Sequence, residues 1–167
     1  MPVFQSMVPF SELKQMLLEP KDKKGEDNKT LTIDKVFERG VGWLLSLLGF
    51  QSIQLQEYQQ QGTGSERISY DIIANFKNEF VILTHATITS DLSSQINSAV
   101  TTHDLISARF ENMEIKSVIF TPKPISQIVP DDIIVIDRDP LNQILSLLEK
   151  GNVKQARAYF YPNNSRI

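Results

Sequence analysis

The stretch Ser69–Thr89, SYDIIANFKNEFVILTHATIT, decides how this chain is read. Two apolar runs, Ile72-Ile73-Ala74 and Phe80-Val81-Ile82-Leu83, flank the polar triplet Lys77-Asn78-Glu79. That is the pattern of two strands joined by a hairpin turn. Asp71 heads the first strand, and the second leads into Thr84-His85-Ala86. Side chains alternate faces along a strand. Thr84 and Ala86 therefore share one face, and His85 falls on the other with Val81 and Leu83, as a packed, hydrogen-bonded histidine.

Upstream, Ile33, Val36, Phe37, Gly40, Leu44, Leu47 and Leu48 form one continuous apolar stripe at helical spacing. Thr30 or Thr32 is the cap, and Gly49 closes the helix in the left-handed conformation. Phe50 then leads into a strand over Gln51–Glu57. Tyr58–Arg67, YQQQGTGSER, is a hairpin loop; its Gly-Thr-Gly lacks the Lys-Ser/Thr ending and following helix of a phosphate loop. Downstream, Ser90 or Asp91 caps a helix carrying Leu92, Ile96, Ala99, Val100, Leu105 and Ile106. A strand over Glu114–Thr121 follows, and its arrival after a crossover helix predicts parallel pairing. The elements run α-β-β-β-α-β.

FERGVGWLLSLLGF (residues 37–50), the Ser69–Thr89 stretch and the segment Ser90–Thr121 together resemble the Mrr-like and Holliday-junction-resolvase-like branch of the restriction-endonuclease-like, PD-(D/E)XK superfamily. The resemblance reaches about half the chain. It implies an α/β fold: a mixed central sheet flanked by helices, here with an extra N-terminal helix and a C-terminal strand-helix extension. In that family a helix glutamate, a strand Asp and a Glu-x-Lys on the next strand serve Mg2+-dependent DNA cleavage. Mg2+ takes one or two carboxylates plus water and substrate phosphate, activates the water and stabilises the leaving oxygen.

Carried onto this sequence, Asp71 matches the strand Asp, with Tyr70 in place of the usual proline, and Glu38 is the helix acid. Thr84 stands where the glutamate belongs and Ala86 where the lysine belongs. Both replacements remove a charge, so the resemblance implies a degenerate site, with Asp71 and Glu38 as the remaining metal ligands if the site is active. Relocated metal ligands or a relocated lysine would come from Lys77, Glu79, His85 or Asp91, and Gln95 occupies a position where some relatives place a polar residue facing the site. Each also has a plainer reading. Lys77 and Glu79 are turn residues, and Glu38 and Gln95 are exposed on their helices.

The 167 residues suit one domain: an N-terminal helix and mobile loop (1–29), a nuclease-like core (30–121) and a C-terminal extension (122–167). Pro9–Leu18 is a short amphipathic helix capped by Ser11, and Glu19–Lys29, EPKDKKGEDNK, reads as a solvated mobile loop. Beyond Pro122, Pro124 and Pro130 come a strand over Ile133–Ile136 and a helix over Leu141–Lys150 with Asp139 as cap and Pro140 as first residue. Asn152–Phe160 forms a last helix. Its Lys154 and Arg157, with Tyr159, Phe160 and Tyr161, are the one meeting of clustered positive charge with base-stacking aromatics, or else they close the helix on the core.

Hydrophobic residues make up 41% and charged residues 22%, an ordinary globular balance. The absence of cysteine excludes disulfides, thiolate chemistry and Cys-based zinc sites and fits a cytoplasmic location, and two histidines well separated in sequence argue against a histidine-rich metal site. A net charge of −3 argues against coating nucleic acid by bulk electrostatics, and no apolar run reaches the roughly 18 residues of a membrane span. Neither export nor membrane insertion is expected. The function expected is that of a non-catalytic restriction-endonuclease-like domain without cofactor, binding its own copy as a homodimer, a protein partner or DNA. The alternatives are an active Mg2+-dependent endonuclease with relocated residues, and an inactive piece of a larger nuclease or toxin-related assembly.

Overall fold

The computed structural model describes residues 9–25, 28–54, 71–77, 79–108 and 112–161, with the backbone alone for 52–54. Helix α1 (Phe10–Leu18) is followed by a short hairpin of β1 (Lys23–Lys24) and β2 (Thr30–Leu31). Helix α2 (Ile33–Leu47) then leads into β3 (Gln51–Gln54), β4 (Ile72–Phe76) and β5 (Phe80–Ala86). After them come α3 (Ser93–Ser107), β6 (Glu114–Phe120), β7 (Ile133–Ile136), α4 (Arg138–Glu149), α5 (Val153–Arg157) and a 3-10 turn over Ala158–Phe160. The main sheet has the order β3-β4-β5-β6-β7. Its first three strands pair antiparallel, and β5, β6 and β7 run parallel. This is the mixed sheet expected.

Strand alternation divides the core into two layers. Ile72, Ala74, Phe76, Phe80, Ile82, Val118, Phe120 and Ile136 point to the face covered by α1, α2, α4 and α5. Val81, Leu83, Ile115 and Ile119 point to the face covered by α3. The C-terminal extension belongs to the first layer, since Leu141, Ile144, Leu145, Ala156 and Phe160 are all buried there. Full burial of one such side chain is worth about 1.5–3 kcal/mol.

Two glycines shape α2. A Cβ on Gly40 would stand 3.0 Å from Leu17 Cδ2 and 3.2 Å from Met16 Cβ, so its absence lets α1 pack closely against α2. Gly49 adopts φ +93°, and the Phe50 amide donates to the Leu45 carbonyl at 3.0 Å, closing the helix as its position predicts.

The structure corrects several boundaries. Glu19–Lys29 is not uniformly loop, because Lys23 and Lys24 pair with Leu31 and Thr30. Thr32 is the N-cap residue of α2 but makes no side-chain cap bond. Instead Asp22 Oδ1, within the hairpin segment, accepts from the Ile33 amide at 2.8 Å. Helix α3 is capped by two side chains: Gln127 Oε1 accepts from the Leu92 amide at 2.6 Å, and Asp91 Oδ1 from the Ser93 amide at 3.1 Å. Helix α4 begins two residues early, with Asp137 as its cap residue and Pro140 inside the first turn, where its missing N–H costs nothing. The β3 strand is described to Gln54; the rest of Gln51–Glu57 and the loop Tyr58–Arg67 lie outside the described residues.

Candidate functional site

Thr84 and Ala86 occupy the end of β5, on the face that Phe80 and Ile82 turn toward α2. Thr84 lies opposite Ile72 on one side and Val118 on the other, and is fully buried. Among the described residues its Oγ1 meets no hydrogen-bond partner. A methyl-bearing side chain packs where a carboxylate would need charge neutralisation, so this position is closed as core.

Asp71 is clipped to the same strand twice. Its amide donates to the Thr84 carbonyl at 2.9 Å, and its Oδ2 accepts from the Ala86 amide at 2.7 Å. The carboxylate thus serves the backbone of Ala86. Hydrogen bonds to an ionised acceptor are the strong ones, and this one holds the end of β5 against the head of β4.

Glu38 is not the solvent-facing helix residue that its surroundings in the sequence suggest. It is 7% exposed, on the side of α2 that packs on the sheet. Burial raises its pKa above the usual 4.5, and the negative charge of Asp71 raises it further. Lys35 and Arg39 act the other way. Lys35 lies one turn earlier on α2 with its Nζ 3.5 Å from Glu38 Oε2. The two acids therefore share a neighbourhood, and the lysine beside Glu38 is Lys35. Its signal in the sequence was the i,i+3 spacing to Glu38, which marks neighbours on a helix surface.

The other candidates are elsewhere. Lys77 sits in the β4–β5 turn at φ +49°, its Nζ 5.3 Å from the Phe76 ring centroid. The whole of β4 separates it from Asp71, roughly 16–20 Å at strand rise. Glu79 is a turn residue whose amide donates to the Phe76 carbonyl at 2.8 Å. His85 is buried on the α3 face, as alternation requires. Gln95 stands in the first turn of α3, half-buried rather than exposed, with its Oε1 lacking a partner among the described residues. Asp91 caps α3, and hydrogen bonds from the Ser93 side chain and amide hold its pKa below 3.8.

Of the basic aromatic tail, Lys154 is exposed, while Arg157, Phe160 and Tyr161 turn to the core. Arg157 NH1 donates to the Leu48 carbonyl at 2.7 Å, and its guanidinium lies 4.3 Å from the Phe76 ring centroid. Phe160 is fully buried, and Tyr161 meets Phe80 edge-on at 5.4 Å. Arg138 is likewise engaged, donating to the Leu18 carbonyl at 2.8 Å and to Glu19 Oε1 at 2.7 Å.

Mg2+ prefers hard oxygen ligands in octahedral array. Among the described residues no three Asp, Glu or His side chains converge as a ligand set. Asp71 and Glu38 contribute two negative charges, and Lys35 and Arg39 bring two positive charges to the same field. The arrangement therefore offers two carboxylates with an ammonium beside one of them, an incomplete ligand set for the ion.

No known protein-family model and no curated protein sequence matches this chain. Among solved structures, the crystal structure of the small subunit of the heterodimeric restriction endonuclease R.BspD6I is similar, with a TM-score of 0.54 over 88% of each chain and 15% identity. That likeness shows the fold, which is restriction-endonuclease-like. No helix among the described residues is long and apolar enough to cross a membrane.

Proposed function

We propose that this chain is a non-catalytic restriction-endonuclease-like module that works by assembling with another protein chain. The observation that carries the reading is the end of β5. The positions matching the glutamate and lysine hold Thr84 and Ala86, and Asp71 Oδ2 accepts from the Ala86 amide at 2.7 Å. A site of this composition has neither the third acid nor the strand lysine that the chemistry uses. The similar structure is one subunit of a two-subunit enzyme, which supports a protein chain, either a second copy or a larger nuclease subunit, as partner ahead of DNA. Fold alone does not assign function, so the proposal rests on the replaced positions.

The second reading is an active Mg2+-dependent endonuclease built on Asp71 and Glu38. The burial of Glu38 beside Asp71, with Lys35 at 3.5 Å, favours it. One experiment separates the two. Purified protein is incubated with plasmid and duplex DNA in Mg2+ or Mn2+, and its mass is measured by light scattering, alone and with co-purified chains. The module reading expects intact DNA and a defined complex. Cleavage that disappears in Asp71→Ala would establish the endonuclease instead.

A further inference from the structure

The centre around Glu38 lacks the glutamate and strand lysine of the family pattern, yet both acids remain, and Glu38 is buried, where an ionised acid needs a counter-charge or hydrogen bonds. Asp71 draws on the Ala86 N–H at 2.7 Å. Glu38, 7% exposed, has Lys35 Nζ at 3.5 Å from Oε2, from one turn away on the same helix. The lysine side chain is 44% exposed, so its stem lies along the helix surface while its head reaches the acid. Little rotamer freedom is lost at this spacing, because residues three apart on a helix are already neighbours. The Arg39 charge acts on the same acid.

We infer that Lys35 has taken over the place of the metal ion: its ammonium is the resident counter-cation of Glu38, and the centre rejects divalent metal because that position is filled. The inference rests on the non-catalytic reading and says what replaced the chemistry. An incoming ion would have to displace the ammonium or sit against it. Mg2+, which gives up its water reluctantly, is poorly equipped for either. A protein-borne cation has a further consequence: the fold around Glu38 is independent of metal supply.

The test uses thermal melts of the full chain in chelator and in millimolar MnCl2 or MgCl2, for the wild type, Lys35→Met, Lys35→Arg and Asp71→Asn. The wild type and Lys35→Arg are expected to melt at the same temperature, within about 1 °C, in both media. Lys35→Met exposes the acids to solvent cations and is expected to gain about 2–4 °C at an Mn2+ concentration roughly five times the dissociation constant. That gain should vanish when Asp71→Asn is added. If Lys35→Met does not fold, Lys35→Gln is titrated with MnCl2 by calorimetry, with heat of binding expected. The inference is overturned if the wild type is itself stabilised by Mn2+ through Asp71, or if removing the lysine creates no metal response. DNA cleavage measured on the same wild-type sample reports separately. Metal-stabilised but inert protein sinks this inference alone, whereas cleavage sinks the non-catalytic reading.

Discussion

Replacing Arg157 by alanine removes three interactions at once. The NH1 donor to the Leu48 carbonyl, at 2.7 Å, satisfies a carbonyl at the C-terminal end of α2. A hydrogen bond from a charged donor contributes about 1.5–3 kcal/mol. The guanidinium 4.3 Å from the Phe76 ring centroid adds about 0.5–2 kcal/mol. The Nε bond to the Tyr161 hydroxyl, at 3.3 Å, is long and adds little. These contributions overlap, so the expected loss is about 2–4 kcal/mol, or roughly 4–16 °C in Tm for a chain of this size. Equilibrium urea denaturation measures it. Arg157→Lys should recover only part, since an ammonium cannot fork between Leu48 and Tyr161 while lying flat on Phe76. The reasoning would be refuted if Arg157→Ala unfolded within about 0.5 kcal/mol of wild type and instead lost affinity for single-stranded DNA. The tail would then be the basic aromatic surface that its composition suggests.

Three further outcomes are expected. Asp71→Ala should cost about 1.5–3 kcal/mol by orphaning the Ala86 amide, while Asp71→Asn, which keeps an acceptor oxygen, should cost clearly less; equal losses in urea melts would deny Asp71 its structural role. Gly40→Ala should be close to neutral, a helix-propensity gain of about 1 kcal/mol offset by a Cβ at 3.0 Å from Leu17 Cδ2, whereas Gly40→Val should lose about 1–3 kcal/mol by forcing α1 away. A stable Gly40→Val protein would contradict the close α1–α2 approach. Glu38 has a folded pKa above 4.5, so its ionisation opposes folding: the penalty is absent below that pH and stability falls as pH rises through the folded value. Glu38→Gln should flatten that part of the stability–pH curve, and an unchanged curve would count against the burial of its charge.

Periodicity is a property of a single element, and the sequence by itself settled what single elements decide. The apolar stripe Val36–Leu48 placed α2, and Gly49 placed its end. Alternation along Phe80–Ala86 separated Thr84 and Ala86 from His85, because successive strand side chains must point to opposite faces. The motif stretch and its flanking elements were enough for the α-β-β-β-α-β order, the parallel arrival of β6 and the presence of two uncharged residues, Thr84 and Ala86, at the β5 end.

The tertiary structure decided what depends on chain segments meeting. Whether Glu38 faced solvent or core turned on the sheet beneath it, and only there did it acquire Asp71 as a neighbour and Lys35 as its cation. Helix termini leave backbone donors and acceptors unsatisfied, and any nearby polar group can serve them. Thus Asp22 caps α2 from 11 residues away, Gln127 caps α3 from 35, and Arg157 reaches Leu48 across 109. Lysine, arginine and acidic side chains look alike in a sequence whether they are solvated or engaged. Their roles follow from desolvation and partner distance, which exist once the helices are packed on the sheet.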